Sequence, residues 1–402
     1  MKSGKIKNIF FIMMFVSAVP FFAQENGNIK NFIKGNIEDK ISAVKKSSGK
    51  EAAYISLKTV DFVLENVSEI GTKDREFNAL AVTGILALPA TEDAVADSYA
   101  GKKSNDAEPP SSTLSKLYKL FSLFDDTTIR ISVIEKIVQF YEVVPSEDSV
   151  RFISEFLAGS LKEKKVSDVQ KAAIISLGKI GGGSSFNVLY KCLQSPVFSQ
   201  LAVDIKTSIE NSADRSLTEI LQIINNADVD QMSSLFNLIK NSPKISSSFK
   251  SEIAENILLE TLDILKGRDD KALLDLEMEA FSFMVENNWT RASSLIVKFF
   301  LQSKKNYEAS KISEAQFIKI INGFSNISTA ESSKALTEYL GELNKRTEEG
   351  SVPSEDLMLA VVRTLGRLGS KTAFDQLLFV TYLDYPESVI AEARSALTKL
   401  KW

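Results

Sequence analysis

The sequence predicts an all-α protein, an α–α superhelix (solenoid) of about eight to nine antiparallel helix pairs. Three observations predict it. Apolar residues recur every three or four positions almost throughout, the period of a helix that buries one face. Strand-like alternation over any useful length is hard to find. And one stretch returns: SLGKIGGGSSF at 176–186 is matched in residue type or size by TLGRLGSKTAF at 364–374. Gly178 then corresponds to Gly366, Lys179 to Arg367, Gly181 to Gly369 and Phe186 to Phe374. A repeated motif is better explained as a structural unit than as a ligand loop.

In chain order, the start reads MKSGKIKNIFFIMMFVSAVPFFAQENG. Lys2, Lys5 and Lys7 precede an apolar run from Ile9 to Ala23, broken only by Ser17 and Pro20. That is the layout of a secretory signal peptide, and the run is shorter than the ~20 residues a membrane-spanning helix needs. Residues 1–23 are therefore expected to be a signal, cleaved after Ala23, with an uncleaved anchor as the alternative. Its removal takes three lysines and moves the net charge from −4 to −7.

Residues 24–100 read as an N-terminal helical lead-in and first repeats, with Asn78–Leu88 paired to Glu92–Ala100. Residues 101–113, GKKSNDAEPPSST, mix charge, serine and Pro-Pro and read as an exposed loop or hinge. The solenoid proper spans 114–402. In it Ile129–Val143 pairs with Ser149–Leu161. A helix over Asp168–Lys179 is capped by Ser167 or Asp168, whose side chain can accept a backbone N–H. Gly181–Gly183 should end it in the left-handed conformation. Ser184 or Ser185 starts the partner through Cys192, and Pro196 closes the unit. Residues 203–266 are less regular and hold two or three more pairs. Leu276–Val285 pairs with Thr290–Leu301, and Phe317–Ile327 with Thr329–Leu343. Ser354 begins a helix that Gly369 ends, Thr372 starts its partner, and Ser388 starts the last helix. Trp402 is expected to pack over it. Phe283, Phe324 and Leu365 hold similar places at successive separations of 41 residues.

SDVQKAAIISLGKIG, residues 167–181, resembles the HEAT repeat, whose pattern is close to D-x-x-V-R-x-x-A-x-x-A-L-G-x-I-G. Val169, Ala173, Leu177, Gly178, Ile180 and Gly181 match, while Gln170 stands where the family usually has arginine. SVIAEARSALTKL at 388–400 matches at Val389, Ala393, Ala396 and Leu397, and TLGRLG at 364–369 matches the second half of the pattern. The resemblance implies a HEAT- or armadillo-like solenoid that binds other proteins. Small residues (Ala172, Ala173, Gly178) would let helices approach, with Leu177, Ile180 and Phe186 filling the shared space.

Composition removes much chemistry. Histidine is absent, so neither a Ser-His-Asp triad nor a Cys-His pair can form, and the usual zinc sites fail too. The single cysteine, Cys192, lies in an apolar frame and reads as a small buried hydrophobe. Gly178-Lys179 is followed by Ile180, not by Ser or Thr, so the phosphate-loop pattern fails. No D-x-D-x-D-G calcium loop appears. The acidic balance and interleaved charges such as Lys162, Glu163, Lys164 and Lys165 argue against nucleic acid as a partner. Glu331-Ser332 lacks the companion stretch seen in lysozyme-like cell-wall enzymes.

The expected protein is thus an exported bacterial, periplasmic, non-catalytic scaffold or adaptor. It has no cofactor or metal, and its partner is another protein or an envelope assembly. Trp289, at a turn between helices, is the candidate partner-binding residue: an exposed indole makes a strong anchor. The alternatives are a peptidoglycan hydrolase using carboxylates alone and a chaperone-like carrier.

Overall fold

A computed structural model describes residues 27–90, 112–264, 271–327 and 329–401. The expected signal at 1–23, the helix over Glu92–Ala100, nearly all of the 101–113 loop and Trp402 lie outside the described residues. Among those described, the secondary structure is helical, with no strand and a single parallel bridge between Ser370 and Lys401. No helix among them is long and apolar enough to cross a membrane. The chain divides into two units, Met1–Ser216 and Leu217–Trp402.

The first unit holds α1 (27–34), α2 (Ile37–Lys46), α3 (Gly49–Ile70), α4 (Arg75–Ala87), α5 (Thr113–Leu123), α6 (Thr127–Val143), α7 (Glu147–Ser160), α8 (Asp168–Ile180), α9 (Gly183–Gln194) and α10 (Ala202–Ser212). Side-chain caps set several starts. Asp74 accepts from the Phe77 N–H and Asp126 from Thr128 and Ile129. Ser167 and Gln170 form a reciprocal capping box on α8. The helices pack in two series: α2, α4, α6, α8 and α10 each touch the next, and so do α7 and α9. Rings join α5 to α7, where Tyr118 stacks on Phe152 at 4.2 Å.

One expected detail is corrected. Gly181 does not end α8 in a left-handed conformation; its φ is −70° and ψ 154°, extended backbone open to any residue. The first turn of α9, which begins at Gly183, folds back over Gly181, and Ser185 Oγ donates to the Gly182 carbonyl at 2.6 Å. A side chain on Gly181 would strike Ser185. Glycine serves close approach there. Gly369, its counterpart, does take the left-handed form, with φ 65°.

The second unit holds α11 (Leu217–Asn226), α12 (Val229–Lys240), α13 (Ser247–Ile264), α14 (Lys271–Glu286), α15 (Ser293–Glu308), α16 (Glu314–Gly323), α17 (Ala330–Glu348), α18 (Glu355–Leu368), α19 (Phe374–Val380) and α20 (Glu387–Thr398). One series runs α11, α13, α15, α17, α19; the other runs α12, α14, α16, α18, α20. The aromatic core runs between them: the Phe300 ring lies 5.7 Å from Phe317, 5.1 Å from Phe324 and 5.7 Å from Tyr339. Each such pair adds about 0.5–1.5 kcal/mol beyond area burial.

Several polar ties cross the second unit at similar sequence offsets. Lys240 pairs with Glu279, Arg291 with Glu252, Lys304 with Glu342 and Arg346 with Glu308. Ser294 donates to Glu331, Ser354 to Glu314 and Tyr385 to Asn344. The offsets run from 37 to 41 residues. Partly exposed ion pairs contribute about 0–1 kcal/mol each, so these ties set register while the buried rings supply most of the stability.

Candidate functional site

Where α14, α16 and α18 lie side by side, their last turns leave a groove of about 310 Å³. Its depth follows from Gly323. A Cβ there would sit 2.5 Å from the Phe281 ring and 2.9 Å from Val285, so only glycine lets α16 settle this close to α14. Phe281 is buried, and with half-buried Val285 it gives the groove an apolar wall.

The remaining lining is polar, and its hydrogen bonds account for part of it. Ser282 donates to the Met278 carbonyl and Ser325 to the Asn322 carbonyl. Asn326 donates to the Val285 carbonyl at 3.4 Å. Asn322 Oδ1 accepts from Thr364 at 3.5 Å, which leaves its amide N–H groups without an acceptor among the described residues. Lys319 and Arg367 are exposed and likewise have no carboxylate partner there. Glu286 is the one acid of the lining. The groove therefore offers surplus donors and one net positive charge on a chain whose net charge is −4.

Trp289 stands just beyond α14, after a turn at Asn288 whose φ is 52°. It is half-buried, not fully exposed. Its indole N–H donates to Glu255 Oε2 at 2.7 Å, and the Arg291 guanidinium lies 4.9 Å from its ring. Arg291 also pairs with Glu252 at 2.9 Å and Glu255 at 3.1 Å. The residue thus ties the end of α14 to α13. Glu331 accepts from Ser294 while Ser332 closes a capping box with Thr329.

Two features were not anticipated. Arg367, which the repeated motif marked only as the counterpart of Lys179, lines the groove. The second is Glu277 on α14, which is 1% exposed, with neither carboxylate oxygen hydrogen-bonded among the described residues. Burial pushes its carboxyl up to about 8. The signal was present: Leu273, Leu276, Glu277, Ala280, Phe281 and Met284 form one buried stripe, and Glu277 is the only charged member. Cys192 is buried as expected, with its thiol pushed up to about 12 by desolvation.

Among the described residues no three His, Cys, Asp or Glu side chains converge as a metal site would require. No family model, curated protein or solved structure gives the chain a significant match.

Proposed function

We propose that the chain is an exported, periplasmic, non-catalytic scaffold, a HEAT-like α-solenoid that holds a protein partner against its helical surface. One observation carries the reading: most polar ties between helices of the second unit recur at offsets of 37–41 residues, with a few shorter, from 29 to 36. Repeated modules in which each layer touches mainly the next give that pattern. The two-series packing is consistent with it, and so is the basic start followed by an apolar run at 1–23. The groove at α14, α16 and α18 supplies a concave, partly apolar surface with unpaired donors, as recognition sites do.

The test places a photo-cross-linking residue at Asn322 and, separately, at Lys334 on α17 in cells that make the protein. A discrete adduct with one partner from either position, reproduced with both proteins purified, supports the reading. No adduct from either position, or release of soluble fragments from purified peptidoglycan by the chain, overturns it.

A further inference from the structure

We infer that the groove between α14, α16 and α18 takes an acidic, extended peptide segment of a partner protein. This rests on the reading of the chain as a protein-binding scaffold and names what that scaffold holds. The argument starts from the arginines. Among the described residues of the second unit, Arg291, Arg346, Arg363 and Arg394 each pair with a glutamate. Arg367 alone has no carboxylate partner, and it lines the groove. A guanidinium is a planar fork shaped for two carboxylate oxygens. Its position in the last turn of α18 complements the helix dipole, which favours positive charge there but supplies no carboxylate.

The neighbouring groups fit the same ligand. Lys319 adds a second cation, and the free amide N–H groups of Asn322 can donate to a peptide carbonyl. Half-buried Val285, backed by the buried Phe281 ring, offers apolar contact to an adjacent side chain, since successive side chains of an extended segment point to opposite sides. Glu286 at the rim disfavours a second acid at its own end. The open volume of about 310 Å³ suits a short segment and not a folded domain.

The whole chain, without its first 23 residues, is used to select from a random short-peptide phage library. Selected sequences should carry Asp or Glu above library frequency. The best of them, made synthetically, should bind about threefold or more tightly than its Asn/Gln counterpart. Arg367→Glu and Arg367→Gln should remove most of that preference, whereas Arg394→Glu should leave it. Circular dichroism checks that each exposed-site variant stays folded. Two results overturn the inference: selected sequences with no acid enrichment, or an acidic peptide whose affinity neither Arg367 variant changes. If Asn322 or Lys334 still yields a partner adduct in cells, such a result sinks the acid preference and leaves the scaffold reading standing. Absence of both adduct and selected peptide sinks the two together.

Discussion

Gly178 on α8 faces Ser208 on α10 with no room for a side chain: a Cβ on Gly178 would lie 2.7 Å from the Ser208 Cα. Its counterpart in the repeated motif, Gly366, stands the same way against α20, where a Cβ would lie 3.1 Å from the Ala396 Cα. The shared glycine therefore marks a close helix crossing in each unit, which answers why SLGKIG and TLGRLG are alike. Inside an unhindered helix, Gly→Ala stabilises by about 1 kcal/mol. Gly178→Ala should instead destabilise, and Gly178→Val should cost about 1–3 kcal/mol or more through overpacking. Urea unfolding midpoints check this; a gain in stability for the alanine variant would contradict the crossing.

Leu177, beside that glycine, is fully buried. Leu177→Asp puts a carboxylate where no partner waits, at a cost of several kcal/mol. Loss of the cooperative unfolding transition, or a large fall in its midpoint, is the expected outcome. An unchanged thermal midpoint would remove Leu177 from the core.

Glu277 gives a pH dependence with a definite sign. Its folded-state value is raised to about 8 from an ordinary 4.5. The native state therefore holds a proton that the unfolded state has released. The resulting loss of stability begins as pH rises past the unfolded value and accumulates until about 8, then levels off. Glu277→Gln should flatten the profile over that window, and Glu277→Leu should also raise stability at neutral pH. Denaturation across a pH series reads both. A wild-type curve as flat as that of the glutamine variant would refute the assignment.

How much of this was legible in the sequence differs by element. The start of α8 at Ser167 and the end of α18 at Gly369 were legible because capping is local chemistry, written in neighbouring residues. The helix over Thr127–Val143 was legible within two residues of its start because its apolar residues recur at helical spacing. The long helix α3, Gly49–Ile70, was only implied within a lead-in, since no side-chain cap marks its start at Ser48. Gly181 was misread because three consecutive glycines signal a turn without saying whether handedness or crowding requires them. Arg367 and Glu277 depend on what other helices bring beside them. One lacks a partner on the surface and the other lacks one in the core, and neither lack is visible from its own stretch of chain.

Trp289 offers an optical test. Glu255→Ala removes the acceptor of its indole N–H and one partner of Arg291. In a Trp402→Phe background the remaining tryptophan emission should shift to longer wavelength as the ring gains water. Stability should fall by no more than about 1 kcal/mol, as for other partly exposed pairs. An unmoved emission maximum would mean that the Glu255 contact does not hold the ring.

Cys192 should be inert. A fully buried thiol pushed up to about 12 carries almost no thiolate at neutral pH. A thiol reagent should react slowly with the native protein and label one site per chain on unfolding. Rapid labelling under native conditions would place Cys192 at the surface.

The regular spacing of the ties in the second unit has a mechanical side. The ion pairs among them are each comparable to thermal energy and lie partly exposed, within reach of mobile ions, whereas the rings beneath them are not. Added salt should thus loosen the outer latches before it touches the oily spine, so that neighbouring layers slide slightly without unravelling. The second unit is then expected to be softer at high ionic strength than at low, while its buried spine keeps it from coming apart.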